Sequence, residues 1–171
     1  MRTVLIAAVL AGACGSTGEA PAAAGSLVFD PPANGAAADV FLATEAEVLK
    51  SQPLRERVTR QLRLEAPLAA ESIIATPKPG TLVLDVGVRD PDPRRAAELC
   101  NTLLRTYVEY RMERALIPML EEEKALAEQL ERRPEDAKLR ERVKELELAR
   151  RAPRAGVRLL DACRPATASR R

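Results

Sequence analysis

The sequence predicts an α+β domain: a small mixed sheet of about four strands, helices packed on the sheet, and a projecting antiparallel helical hairpin. Three observations support this. Along the chain, Leu82, Leu84, Val86 and Val88 alternate with Val83, Asp85, Gly87 and Arg89, as in a strand with one buried face and one that is partly wet. Asp92 and Pro93 then begin a helix with apolar residues at helical spacing. Beyond Leu116 the apolar spacing becomes that of a coiled-coil seam.

The first residues of the chain resemble a bacterial export signal. Residues 1–13 contain one positive charge, a short apolar run and a small-residue end, which predicts a signal peptide. Together with Cys14, the small residues resemble the lipobox, in which this cysteine receives the lipid. Ordinary cleavage that leaves Cys14 free is the alternative. Residues 14–26 are rich in glycine, alanine and serine, which predicts a flexible tether.

Two short apolar runs in the middle of the chain predict further strands. Residues 27–29 form the first, and residues 72–76 form the second. A turn that contains proline and glycine joins the second run to residues 82–88, which predicts an antiparallel strand pair. Between the two runs, apolar residues at helical spacing predict two helices, one capped by Asp39 and one that begins near Pro53.

Residues 116–151 predict the helical hairpin, with its tip near Arg133. Its two arms pack through seam positions that are mostly apolar, with Glu123 as the exception: Leu116, Met119, Leu126, Leu130, Leu139, Val143 and Leu146. Pro153 and Gly156 end the returning arm, and a last strand follows at residues 157–160. Residues 166–171 form a basic tail.

Composition argues against several functional classes. The 171 residues include no histidine, which excludes the usual serine and cysteine triads and histidine-containing metal sites. Aromatic residues make up 2% of the chain, too few for stacking platforms that bind sugars or bases. The net charge of +2 gives no general attraction to nucleic acid. We therefore expect no catalytic, metal-binding or cofactor-binding residues, and a hydrolase of envelope glycans is the least favoured function.

Two cysteines remain if Cys14 is lipidated. Cys100 lies on the inward face of the long helix and reads most simply as a small core residue. Cys163 follows the last strand, which could bring it close to Cys100. Both a disulfide between them and two separate thiols are compatible with the sequence.

One group of residues is similar to a known family. Asp92, Pro93, Ala96, Ala97 and Asn101 follow the strand at fixed spacing. Together with the segments FLATEAEVLKS, PLRERVTRQLRL and VRLLDACRP, they resemble the periplasmic domain of bacterial polysaccharide co-polymerases, the chain-length determinant or Wzz family. The resemblance extends over residues 27–165.

The resemblance implies structural roles for these five residues. Asp92 and Pro93 would begin the helix, Ala96 and Ala97 would allow close packing on the sheet, and Asn101 would tie the helix to a neighbouring loop. It implies no catalytic residue, because the family acts by scaffolding polymerase and export partners.

The resemblance also implies a function. We expect a non-enzymatic periplasmic scaffold that assists biosynthesis, chain-length control or export of a surface polysaccharide such as O-antigen, capsule or exopolysaccharide. Its expected partners are the polymerase and export machinery, a full-length co-polymerase, or further copies of itself. The alternative is a general envelope lipoprotein adaptor that uses its hairpin to contact other proteins.

The sequence also departs from that family. Family members have a transmembrane helix at each end, whereas here a signal peptide stands first and no such helix follows Pro165; no P-loop is present either. These departures favour a form of the domain held at the periplasmic face of a membrane by a lipid on Cys14. Gly15 and Ser16 stand where an inner-membrane retention signal would have aspartate, which favours the outer membrane.

Overall fold

The computed structural model describes residues 22–33, 35–151 and 154–166. The predicted signal peptide, Cys14 and all of the basic tail except Ala166 lie outside these residues. In chain order, the elements are β1 (Ala23–Phe29), α1 (Ala38–Leu49), α2 (Gln52–Leu62), β2 (Ile73–Pro77), β3 (Val83–Val88), α3 (Pro93–Arg132), α4 (Ala137–Arg151) and β4 (Val157–Pro165).

The strands form one sheet in the order β2-β3-β1-β4, so the first strand of the chain lies inside the sheet. All three pairings are antiparallel. The α+β prediction is confirmed, together with the number of strands, but the sheet is antiparallel throughout and not mixed. Every connection between neighbouring strands reverses the direction of the chain, as antiparallel pairing requires.

Strand β1 begins at Ala23, whereas the sequence predicted a tether up to residue 26. Ala23 is fully buried and pairs with Val88 on one side and Pro165 on the other. Small residues are needed here because β4 passes very close: a Cβ atom on Gly25 would lie 2.6 Å from the carbonyl oxygen of Asp161. Residues 23–26, whose small side chains suggested a flexible tether, therefore lie in a closely packed strand.

The core lies between one face of the sheet and the helices. Leu84, Val86 and Val88 are buried, as their alternation predicted. The apolar stripe of α3 packs with them in one continuous cluster, and each large side chain in it stabilises the fold by about 1.5–3 kcal/mol. The buried members of that stripe are Ala96, Ala97, Leu99, Cys100, Leu103, Leu104 and Tyr107.

The sequence predicted how α1, α2 and α3 begin, and two of these three predictions are confirmed. Asp92 Oδ1 accepts a hydrogen bond from the Arg94 backbone N–H at 2.9 Å, which confirms the predicted cap of α3. Pro53 lies in the first turn of α2, as expected. The predicted cap of α1 is wrong: Ala37 occupies that position without a side-chain bond, and Asp39 lies one residue inside the helix, where it favours the helix dipole.

The helical hairpin is present. Helix α3 continues for 40 residues, and α4 returns after a short turn in which Asp136 Oδ1 accepts from the backbone N–H groups of Lys138 and Leu139. Apart from α3, no element of the described chain packs extensively on α4, so the hairpin projects from the base. Leu146 is buried in the seam, and the other predicted seam residues are half-buried.

Strand β4 is longer than predicted. It extends from Val157 to Pro165, whereas the sequence indicated residues 157–160. Between its first and last pairs with β1, β1 advances by six residues and β4 by eight, so β4 carries two extra residues. Such bulges interrupt the alternation by which a strand is recognised in a sequence.

Candidate functional site

The hairpin projects from the base, and its two arms carry opposite charge. The outgoing arm, residues 116–132 of α3, contains five acidic and two basic residues, a net charge of −3. The returning arm, α4, contains three acidic and six basic residues, a net charge of +3. One side of the hairpin is therefore acidic and the other basic, although the whole hairpin is nearly neutral.

Ion pairs join the two arms. Arg142 Nη2 on α4 lies 2.8 Å from Glu122 Oε1 on α3, while a second pair, from Arg142 Nη1 to Glu145 Oε2 at 3.1 Å, lies within α4. Glu123, the one charged seam residue, is 3.5 Å from Arg150 Nε, which explains why a carboxylate is tolerated there. Exposed ion pairs of this kind each stabilise a protein by about 0–1 kcal/mol, so they fix the pairing of the arms more than they stabilise it.

Large apolar side chains also lie on the outer surface of the hairpin. Ile117 and Leu120 are 47% and 46% exposed, one helical turn apart on α3, and Leu148 on α4 is 64% exposed. Within the described chain, these three side chains are not part of the core cluster. An exposed apolar group among charges is typical of a surface that contacts another protein.

A buried polar group fixes the base of the hairpin. Glu45 on α1 is 5% exposed. Its Oε2 accepts a hydrogen bond from the Tyr107 hydroxyl, and its Oε1 accepts one from Arg111 Nη1 at 2.6 Å. Arg111 Nε also donates to the Ala155 carbonyl oxygen at 3.4 Å, just before β4. This Glu45 network connects α1, α3 and the chain that returns from the hairpin.

The surroundings of Tyr107 in the Glu45 network favour its protonated form. Burial, followed by the hydrogen bond to Glu45, raises the pKa of Tyr107 above its usual value. The phenol therefore stays protonated at neutral pH and serves as a hydrogen-bond donor.

The burial of Glu45 was not predicted, although the sequence contains a signal for it. Glu45 lies three residues after Leu42 and four before Leu49, so it falls on the apolar stripe of α1. A single acid within such a stripe indicates a buried partner of opposite charge.

The five residues on which the resemblance rests hold α3 in place within the fold. Ala96 and Ala97 are buried where α3 approaches the sheet. Asn101 binds the backbone of Cys163: its Nδ2 donates to the carbonyl oxygen and its Oδ1 accepts from the N–H, both at 2.9 Å. The expected tie was to a loop, but the structure places it on strand β4.

The two cysteines of the described chain, Cys100 and Cys163, are covalently joined. Cys100 and Cys163 form a disulfide with their Cα atoms 5.9 Å apart, so of the two arrangements left open by the sequence, the structure has the bonded one. The disulfide and the Asn101 contact hold the same point of β4 against α3.

Neither a metal-holding cluster nor a membrane-spanning helix is found among the described residues. No group of three or more acidic or cysteine side chains among them could hold a metal ion. No helix within residues 22–33, 35–151 and 154–166 combines the length and apolar character needed to cross a bilayer.

No protein-family model matches the chain, and none of the curated proteins is significantly similar to it. The similarity to the co-polymerase family therefore stays a prediction from the residues quoted above.

Proposed function

We propose that this protein is a non-enzymatic scaffold of the bacterial cell envelope that assists synthesis, chain-length control or export of a surface polysaccharide. The observation that carries the proposal is the hairpin, which presents exposed charged and apolar side chains on a base fixed by a disulfide and by the Glu45 network. A fixed base lowers the entropy lost when the hairpin binds a partner. The resemblance of residues 27–165 to co-polymerases supplies the polysaccharide context.

The disulfide supports the extracytoplasmic location in this proposal. Structural disulfides persist in oxidising compartments such as the periplasm and are rare in the cytosol. The bond between Cys100 and Cys163 joins residues 63 positions apart and is buried, as expected of a structural disulfide. The protein would sit at the periplasmic face of a membrane, held by a lipid on Cys14, with the outer membrane preferred.

The opposite charges of the arms support a partner that is itself a helical hairpin. The acidic outgoing arm of one copy complements the basic returning arm of a neighbour, in a head-to-tail contact that repeats from copy to copy. A full-length co-polymerase could occupy either position. We therefore propose that the protein forms a homo-oligomer or a complex with such a partner.

A general envelope lipoprotein adaptor is the second candidate. Ile117, Leu120 and Leu148 favour it, because exposed apolar side chains suit many helical partners and have no specific relation to polysaccharide. The two candidates share the hairpin surface and differ in what it contacts.

Photo-crosslinking in cells distinguishes the candidates. A photoreactive residue at position 117 or 148 should capture a polymerase, an export protein or a co-polymerase if the first proposal holds. Deletion of the gene, and the double substitution Ile117→Glu with Leu120→Glu, should then change the length distribution or amount of surface polysaccharide. The matched control is Val40→Glu, since Val40 is 61% exposed on α1, outside the hairpin.

Two other outcomes have clear meanings. Capture of a different helical envelope protein, with unchanged polysaccharide, would select the adaptor. Robust hydrolysis of envelope glycan by the purified protein would contradict both candidates.

The lipid anchor has its own test. Cells that express the protein should incorporate a fatty-acid analogue into it, and Cys14→Ala should remove both the label and the membrane association. Several acyl chains anchor a protein far more firmly than one, so the loss should be nearly complete. Continued labelling and membrane fractionation of the variant would refute the anchor.

A further inference from the structure

We propose that the cleft between the end of α2 and the start of α3, here called the arginine cleft, binds the carboxylate groups of an acidic saccharide. The cleft has a volume of about 610 Å³. This is within the range of about 300–1,000 Å³ that small-molecule sites occupy. The proposal that the anion belongs to a saccharide rests on the proposed function, whereas the proposal that it is an anion rests on the cleft itself.

Three arginines from three separate parts of the fold line the arginine cleft. Arg63 ends α2, Arg89 follows β3 directly, and Arg95 lies in the first turns of α3. Guanidinium groups bind carboxylates through two parallel hydrogen bonds, and they do so more specifically than lysine.

The backbone of Arg63 supports a role for its side chain. Its φ of 51° makes it the one non-glycine residue with positive φ among the described residues, whereas Gly35, Gly80 and Gly156 occupy the other such positions. A residue other than glycine in this left-handed conformation is uncommon at the end of a helix. The chain therefore keeps an arginine where the backbone favours glycine.

The side chain of Arg63 is also available. It is exposed, and no carboxylate within the described ranges forms an ion pair with it. Arg95 has a partial partner: its Nε lies 3.5 Å from Asp90 Oδ2, and its side chain is 59% exposed. Arg95 can therefore contact a ligand while Asp90 orients it.

The acceptors in the cleft favour a saccharide over a bare anion. Glu65, Asp90 and the Ser72 hydroxyl line the same cleft as the arginines. The two carboxylates repel a small anion, and the hydroxyl binds it only weakly. All three groups can accept hydrogen bonds from sugar hydroxyl groups. Binding through charge and hydrogen bonds is also what remains for a chain with 2% aromatic residues and no tryptophan.

The cleft is formed before any ligand arrives. On the α2 side, the Leu68 N–H donates to Thr59 Oγ1 at 3.3 Å, and Arg55 Nη1 donates to the Leu68 carbonyl oxygen at 2.9 Å. Leu68 is itself buried, as is Leu99 on the opposite wall. Both walls are thus fixed to the core, which lowers the entropy lost on binding.

Titration of the purified full-length protein with galacturonic acid oligomers tests the proposal, with fully methyl-esterified oligomers as the uncharged match. The acidic oligomers should bind and the esterified ones should not. Arg63→Gly should weaken binding on the order of tenfold without lowering the Tm, because glycine suits the local backbone. Arg95→Gln should weaken it similarly. Arg114→Gln, an exposed arginine on α3 outside the cleft, should leave it unchanged.

Several results would overturn the proposal. These are equal binding of acidic and esterified oligomers, unchanged binding by Arg63→Gly and Arg95→Gln, or an equal loss with Arg114→Gln. Binding of inorganic phosphate as tight as that of the oligomers would reduce the cleft to a simple anion site and refute the saccharide. None of these variants alters the hairpin, so the crosslinking tests of the proposed function succeed or fail independently.

Discussion

Asn101 holds the backbone of Cys163 as a neighbouring strand would. Its amide donates to the carbonyl oxygen and accepts from the N–H of the same residue, at 2.9 Å in both cases. Because β4 is the outermost strand on its side of the sheet, this contact supplies hydrogen bonds that the sheet does not.

We expect Asn101→Ala to lower the free energy of unfolding by about 1–3 kcal/mol, because it leaves a buried donor and acceptor without partners. Urea denaturation measures the change. Gln129→Ala, which removes an exposed side-chain amide from the hairpin, is the matched control and should have almost no effect. A loss of similar size in both variants would contradict the role given to Asn101.

Removal of the disulfide should destabilise the protein further. Cys100 and Cys163 are 63 positions apart, and closing a loop of that length stabilises a fold by about 4 kcal/mol in the chain-entropy description. The double variant Cys100→Ala with Cys163→Ala should therefore unfold at a clearly lower urea concentration. Under reducing conditions the wild-type protein should approach the midpoint of this variant. An unchanged midpoint in both cases would mean that the bond does not stabilise the fold.

Gly25→Ala tests the close approach of β1 and β4. The added Cβ would lie 2.8 Å from the Cys163 backbone N and 2.9 Å from its Sγ, so β4 must move. We expect a loss of about 1–3 kcal/mol in unfolding free energy, together with slower oxidation of the two thiols on refolding. Gly80→Ala is the control: it meets no neighbouring atom but has φ +70°, so it should cost only about 1 kcal/mol and leave thiol oxidation unchanged.

The Glu45 network predicts a dependence of stability on alkaline pH. The pKa of Tyr107 is raised in the folded protein, mainly by burial, so the unfolded chain loses this proton first as pH increases. The contribution of Tyr107 is therefore complete below a pH of about 10 and declines above it. Urea midpoints should fall more steeply over this range in the wild type than in Tyr107→Phe. Tyr110→Phe, in which the network tyrosine is kept, should retain the steep fall.

The sequence predicted those elements in which local chemistry and burial agree. Leu84, Val86 and Val88 alternate because one face of β3 packs on α3, and Asp92 is followed by proline where α3 begins. The hairpin seam was also predictable, since its apolar spacing repeats over several turns on both arms. In each case the pattern lies within a single segment.

The features that the sequence did not predict depend on distant residues. Ala23 and Gly25 are small because β4, more than 130 residues later, passes beside them. Glu45 is buried because Tyr107 and Arg111 reach it from α3. The bulges of β4 hide the second half of that strand. Spacing within one segment contains no information about such partners.

Helix α3 is continuous from the sheet to the tip of the hairpin, so a small rotation at its base produces a large displacement at its tip. Its first half is pinned at Asn101 and the disulfide; further along, Arg111 binds Glu45 and Glu113 pairs with Arg57 of α2. Of its 40 residues, the 21 beyond Arg111 extend about 32 Å at 1.5 Å per residue. A tilt of about 5° at Arg111 would therefore displace the tip by about 3 Å, enough to break a hydrogen bond. The helix acts as a lever about the Glu45 network, and Pro118, which lies inside its outgoing arm, is the point at which it bends most readily.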